Sequence, residues 1–83
     1  MKIYLIYNRK TGQIWRHLNN FIVKPDGSIE GTADNKNTLV YSKKCNPAIL
    51  RITKEIFDNI DGKYDNYTVK EGKVHEKLRE GDN

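Results

Sequence analysis

Short runs of β-branched and aromatic residues, separated by glycine-containing turns, restrict the fold of this chain more than any other feature. Residues 2–7 (KIYLIY) are apolar at odd and even positions alike, which is typical of a strand covered on both faces, so we expect a central strand here. Turn sequences at residues 8–12 and 25–27 each end in glycine and predict two hairpins. The other strand-like runs in this half are residues 13–18, 21–24, 28–30 and 38–42, with a polar loop over 31–37.

The segment that follows allows two interpretations. In one, Asn46 caps a single helix over residues 47–61. In the other, residues 49–52 form a strand, and Thr53 caps a shorter helix over residues 54–60. We favour the second interpretation, in which the first turn of the short helix also carries an acidic residue that complements the helix dipole.

A third hairpin and a tail complete the chain. Residues 64–70 and 73–76 are strand-like and flank a turn at residues 71–72, whereas residues 77–83 are predicted to be a flexible tail. The expected fold class is therefore α+β, a small antiparallel β meander or sheet of about five to seven strands with one short α-helix packed on it, in a single domain over residues 1–76. The predicted core contains Ile3, Leu5, Ile14, Phe21, Val23, Leu39, Ile52, Ile56, Phe57, Ile60 and Val69.

The length and the single cysteine limit how such a domain works. With 83 residues the chain has room for one core and little room for a deep substrate cavity, so we expect an exposed surface to carry the function. Cys45 is the only cysteine, which excludes an internal disulfide and favours a reducing compartment. No apolar run reaches the length of a membrane span, and the first residues lack the pattern of a signal peptide, so we expect neither membrane association nor secretion.

The sequence contains no recognisable catalytic or metal-binding pattern. His17, His75 and Cys45 lie far apart along the chain, which is not the ligand spacing of a zinc site. The acidic residues near the end of the predicted helix do not follow the alternating rhythm of a calcium-binding loop, and the glycines form no phosphate-binding motif. A thiol nucleophile also needs an orienting base, which is not apparent beside Cys45. We therefore expect a non-enzymatic protein with no catalytic residue, cofactor or metal.

Charge is distributed unevenly, and its basic part predicts the binding site. Residues 1–54 hold ten Lys or Arg and three Asp or Glu, whereas residues 55–83 hold five and eight. A basic segment can attract an acidic protein or the phosphates of a nucleic acid. We favour a protein partner, and a nucleic-acid-binding module that uses residues 1–54 is the alternative. The candidate binding residues are Arg9, Lys10, Trp15, Arg16, His17, Lys24, Lys43 and Lys44.

Trp15 could serve either as a core residue or as an anchor at an interface with a partner. Tryptophan and arginine are enriched at the energetic centres of protein interfaces, and Arg16 and His17 follow Trp15 directly. Ile14 lies on the opposite face of the same strand and is the better core candidate. We therefore expect Trp15 to anchor a partner.

Three stretches of the chain carry a resemblance. The opening IYLIYNRKTGQI, the Asp-Gly hairpin, and ILRITKEIFDNI followed by YDNYTVKEGKV resemble small accessory and structural-module proteins of tailed bacteriophages, over roughly residues 3–14 and 49–74. The resemblance implies a protein that binds a host or phage protein, as a structural-module component or as an inhibitor of a host system. It transfers no functional residues. The unpaired Cys45 and the lack of an export segment favour a location in the host cytoplasm or the virion. A homo-oligomer is possible, and an enzyme whose active site is shared across a homodimer is the third alternative.

Overall fold

The computed structural model describes residues 2–33 and 37–77, and its strands follow the turn pattern of the sequence. All strand pairs within these residues are antiparallel and one short α-helix accompanies them, so the predicted α+β fold class is confirmed. The elements are β1 (Ile3–Asn8), β2 (Ile14–Leu18), β3 (Asn20–Val23), β4 (Ile29–Thr32), β5 (Thr38–Tyr41), β6 (Pro47–Ile52), α1 (Lys54–Ile60), β7 (Tyr67–Lys70) and β8 (Lys73–Glu76), with 3₁₀ helices at Lys43–Cys45 and Tyr64–Asn66.

β1 is the middle strand of a sheet with the order β2–β1–β6. Successive side chains of a strand point to opposite faces, and both faces of β1 are covered. Ile3 and Leu5 are buried on one side and Ile6 on the other, which confirms the predicted central strand. The turn after β1 is stabilised by Asn8, whose Oδ1 accepts a hydrogen bond from the Lys10 N–H at 2.8 Å.

A second sheet, with the order β3–β4–β5, packs on the face of the central sheet that carries Ile6. The chain enters this sheet from β2 through Asn19 alone. Gly31 of β4 makes close packing feasible, because a Cβ atom at this position would lie 2.6 Å from Leu18 Cδ1. A glycine is therefore required where β4 approaches the end of β2.

Helix α1 and the hairpin of β7 and β8 cover the opposite face of the central sheet. Thr53 caps α1, since its Oγ1 accepts a hydrogen bond from the Ile56 N–H at 3.2 Å. The hairpin is joined to the β1–β2 turn, where the Val69 N–H donates to the Gly12 carbonyl oxygen at 2.9 Å. The backbones approach so closely here that a side chain at residue 12 would overlap Val69.

The two faces of the central sheet carry two hydrophobic clusters. We call the cluster under α1 and the β7–β8 hairpin the first core, and the cluster under the second sheet the second core. The first core has as its buried members Ile3, Leu5, Ile14, Ile52, Ile60 and Val69. The second core has as its buried members Ile6, Leu18 and Ile29, bordered by half-buried Trp15, Phe21, Leu39, Tyr41 and Ile49.

The interpretation with a strand and then a short helix is confirmed, and the single long helix is wrong. β6 pairs with β1 along its whole length, from Ile3 opposite Ile52 to Asn8 opposite Pro47. Asn46 adopts a left-handed conformation with φ of 53° and ends the preceding 3₁₀ helix, so it caps no helix that follows. Tertiary pairing with an apolar central strand therefore decided between two patterns that are locally equivalent.

Other expectations are corrected in detail. The described residues form eight strands, more than the expected five to seven, because every strand-like run of the favoured interpretation forms a strand of its own. Residues 31 and 32 of the predicted loop also extend β4. Val23 was expected in the core, but its side chain is 62% exposed because it lies on the edge strand β3. Four other predicted core residues, Phe21, Leu39, Ile56 and Phe57, are half-buried, and the predicted tail lies outside the described residues from residue 78 onward.

Candidate functional site

An open groove lies between the two packed sheets, where the edge strands β3 and β6 face each other. It encloses about 530 Å³, which is within the usual range of ligand-binding sites. The sequence predicted little room for a deep substrate cavity, and this groove is an open one that lies between two layers and not inside one core. We call it the inter-sheet groove; its apolar walls are formed by Tyr7, Phe21, Val23, Ile29, Pro47, Ala48 and Ile49.

Two cations, Arg9 and Lys43, also line the groove, together with Gly27 and Asn46. Arg9 lies in the turn between β1 and β2, and Lys43 lies in the 3₁₀ helix between β5 and β6. The Arg9 N–H donates to the Asn46 carbonyl oxygen at 2.8 Å, which joins the β1–β2 turn to the segment before β6. The Lys43 side chain lies over Gly27, where an added Cβ would lie 3.3 Å from Lys43 Cδ. The fold thus brings two distant predicted site residues to one opening.

Neither cation has an ion-pair partner within the described residues. Both side chains are exposed, so their charges remain available to a ligand. An unpaired guanidinium and ammonium at the rim of an apolar groove suit a ligand that combines a carboxylate or phosphate with apolar groups.

Three other predicted cations are placed elsewhere. Lys10 and Lys44 are exposed and do not line the groove, although each is adjacent in sequence to a cation that does. The Lys24 ammonium lies 2.8 Å from Glu30 Oε2, and its hydrogen bond and charge interaction with Glu30 raise the pKa of Lys24. Lys24 is therefore already engaged within the second sheet.

Trp15 occupies a β-bulge in β2. Ile6 pairs with Arg16 and Tyr7 with Ile14, so Trp15 is the extra residue between these two pairs. Its ring stacks on Tyr41 of β5, with centroids 5.2 Å apart and planes 11° apart. Trp15, which is half-buried, also lines a second depression of about 420 Å³ beside the 3₁₀ helix Tyr64–Asn66. Trp15 thus borders the second core while part of it faces solvent, and its role as a partner anchor stays a prediction.

Arg16 and His17 point to opposite faces of β2. Arg16 lies near Tyr41, where burial raises the pKa of the tyrosine and the positive charge of Arg16 opposes that rise. Its Nε is buried and has no hydrogen-bond partner among the described residues. His17 Nδ1 lies 3.0 Å from Tyr64 Oη, and its ring packs edge-on against Phe57 with centroids 4.8 Å apart. The consecutive residues Trp15, Arg16 and His17 therefore do not form one surface.

The remaining chemical groups of the described chain are dispersed. The exposed thiol of Cys45 lies 3.8 Å from Ser42 Oγ. Within residues 2–33 and 37–77, no three His, Cys, Asp or Glu side chains are grouped in a way that could hold a metal ion. Among the described residues, no helix combines the length and the apolar character of a membrane span.

No family model, curated protein or solved structure matches this chain. The geometry of the inter-sheet groove is therefore the main evidence about its function.

The sequence interpretation missed the apolar walls of the groove. Ile29 and Ile49 were not singled out, and Phe21 was assigned to the core. One signal was present: a proline removes a backbone donor, so Pro47 at the start of β6 is typical of an edge strand. A central strand that is apolar on both faces implies that a second layer covers the sheet. If β6 is an edge strand, the space between the sheet and this layer is open to solvent along β6.

Proposed function

We propose that this protein is a non-enzymatic accessory protein of the phage type, which acts by binding a partner protein through the inter-sheet groove. The observation that carries the proposal is the combination, in one opening, of apolar walls, two strand edges and two cations that have no ion-pair partner within the described residues. The weak resemblance to tailed-phage proteins supports a role as a structural-module component or as an inhibitor of a host system, in the host cytoplasm or the virion.

A protein suits this opening better than a small molecule for two reasons. The groove is open along its side, whereas small ligands are usually held in clefts that bury most of their surface. Its borders are the edge strands β3 and β6, and an exposed strand edge can accept a strand from another chain. Both the shape and the hydrogen-bonding groups therefore match an extended polypeptide.

Two matched valines provide the test of this proposal. Val23 lines the groove and Val40 lies on β5 outside it, and both side chains are 62% exposed. We expect Val23→Asn to abolish most capture of the partner from host or virion extract, while Val40→Asn retains it. Because both sites are exposed, neither change should alter the unfolding free energy by more than about 0.5 kcal/mol. Equal capture by both variants would contradict a role for the groove.

A nucleic-acid-binding module is the second candidate, and one observation favours it. The hydrogen bond from the Arg9 N–H to the Asn46 carbonyl holds the turn carrying Arg9 and Lys10 beside the segment carrying Lys43 and Lys44. If these four cations contact phosphates, affinity for DNA or RNA should fall roughly a hundredfold between about 50 and 200 mM salt. Neutralising Lys10 or Lys44 should then weaken binding as much as neutralising Arg9 or Lys43.

A further inference from the structure

We propose that the inter-sheet groove binds an extended segment of the partner protein. This segment pairs with the edge of β3 that has no partner strand among the described residues, and it places a carboxylate between Arg9 and Lys43. This inference rests on the proposed function and specifies the chemistry of the partner. Three features of the groove support it: the direction of the backbone groups of β3, the apolar walls, and the charge at one end.

The backbone groups of β3 that face the groove are those of Phe21 and Val23. The Lys24 N–H donates to the Ser28 carbonyl oxygen at 2.9 Å, so Lys24 bonds across to the β4 side of the hairpin. Hydrogen-bonding groups alternate in direction along a strand, so those of Ile22 also point to β4, and those of Phe21 and Val23 point to the open edge. The same two residues line the groove, and their side chains share the face of β3 on which Phe21 packs against the second core. An added strand would therefore meet donors, acceptors and apolar side chains together.

The apolar part of the groove can hold side chains of that strand. Phe21 and Ile49 are half-buried, and Ile29 at the base is 4% exposed. A strand that binds alongside Phe21 and Val23 would direct alternate side chains toward these residues. We therefore expect β-branched or aromatic residues at alternate positions of the bound segment.

The charged end of the groove defines the remaining chemistry. Gly27 lies in the turn from β3 to β4, and the Lys43 side chain lies over it. Arg9 also lines the groove and is joined by its backbone hydrogen bond to Asn46, three residues after Lys43. A carboxylate at that end of the bound segment can accept hydrogen bonds from the guanidinium and the ammonium, which have no ion-pair partner within the described residues. A basic segment would be repelled by the same two groups.

The test begins with selection of random linear peptides on the immobilised protein. Enriched peptides should combine an aspartate or glutamate with apolar residues at alternate positions. One enriched peptide, made synthetically with a fluorescent label, is then the probe for affinity measurements. Enrichment of basic or uncharged peptides, or of none, would overturn the proposed occupant.

Neighbouring cations serve as matched controls. Arg9→Gln and Lys43→Gln should each weaken binding of the probe peptide about three- to fivefold, and together about tenfold, which is the scale of exposed ion pairs. Lys10→Gln and Lys44→Gln should change it less than about twofold. Equal effects of all four variants would reject the carboxylate site, and retained sensitivity to Val23→Asn in that case would leave the protein-binding groove itself intact.

Backbone methylation tests the strand pairing directly. Two versions of the probe peptide carry methyl groups on alternate backbone nitrogens, one at the odd positions and one at the even positions. Methylation of the nitrogens that face β3 should abolish binding, whereas methylation of the other set should change the affinity less than about twofold. Equal tolerance of methyl groups in both registers would show that the segment does not pair with β3. If neither methylation nor Val23→Asn affects binding, the peptide binds outside the groove, and the proposed function falls with the inference.

Discussion

The two faces of the central sheet are covered in different ways. The first core has six buried hydrophobic residues and is closed by helix α1 and the β7–β8 hairpin. The second core has three buried residues and a border of half-buried aromatic and aliphatic side chains, and it opens into the inter-sheet groove. The same central strand thus supports a closed layer on one side and an open layer on the other.

If the groove binds a partner as proposed, this difference divides the molecule between stability and binding. Closed packing supplies most of the hydrophobic stabilisation of so small a domain, because that term scales with the apolar area removed from water. An incompletely closed layer supplies less stabilisation but leaves apolar walls and strand edges accessible to a partner.

Two buried isoleucines give the largest expected effect. Ile60 of the first core is 1% exposed and Ile29 of the second core is 4% exposed. Ile60→Ala should lower the unfolding free energy by about 3–5 kcal/mol, and Ile29→Ala by about 2–3 kcal/mol, because a site beside an open groove can relax and be hydrated. Urea unfolding followed by circular dichroism measures both values. Equal losses would contradict the distinction between the two cores.

Trp15 tests the border of the second core. Because the indole is half-buried and stacks on Tyr41, Trp15→Ala should cost about 2–3 kcal/mol, which is less than a fully buried tryptophan. A double-mutant cycle with Tyr41→Ala should give a coupling of about 0.5–1.5 kcal/mol from the stacked pair. An additive pair of mutations would mean that the stacking contributes nothing to folding.

The cap of α1 tests how firmly the first core is closed. Thr53→Ala removes the acceptor for the Ile56 N–H and should cost about 1 kcal/mol, whereas Thr53→Ser keeps the hydroxyl and should cost less than half of that. Urea midpoints of the two variants provide the comparison. If alanine and serine are equivalent here, the hydrogen bond does not stabilise the helix.

The smallest expected effect is a change in how stability depends on pH, and it concerns Asp26 in the turn between β3 and β4. Ser28 donates from Oγ at 2.6 Å and from its N–H at 2.8 Å to Asp26 Oδ1, and these bonds hold the pKa of the Asp26 carboxyl below its ordinary value. Stability from a lowered pKa is present above the unfolded-state pKa and is lost as the pH falls through the folded-state pKa. Below about pH 4, Asp26→Asn should therefore lose less stability than the wild type on acidification, as read from urea midpoints. Identical acid slopes would exclude this contribution.

Local signals in the sequence predicted most of the elements. The turns ending in Gly12 and Gly27, the central strand and the Thr53 cap were identified correctly, because each depends on neighbouring residues with defined backbone or side-chain preferences. The burial of Val23 was predicted wrongly, since strand alternation places its side chain on an inner face but does not reveal that β3 is an edge. The same limit applies to Trp15, whose bulge arises from a register shift against β1.

By itself, the sequence determined the α+β class, the hairpin turns and the strand that is covered on both faces, because turn chemistry and hydrophobic periodicity act between residues close together in the chain. The tertiary structure decided which distant residues meet. It placed Arg9 and Lys43 at one groove, left Lys10 and Lys44 outside it, and divided Arg16 from His17. Those outcomes depend on how the second sheet packs against the central sheet. The energy of that packing is shared among residues that are far apart in the sequence, so no local pattern predicts it.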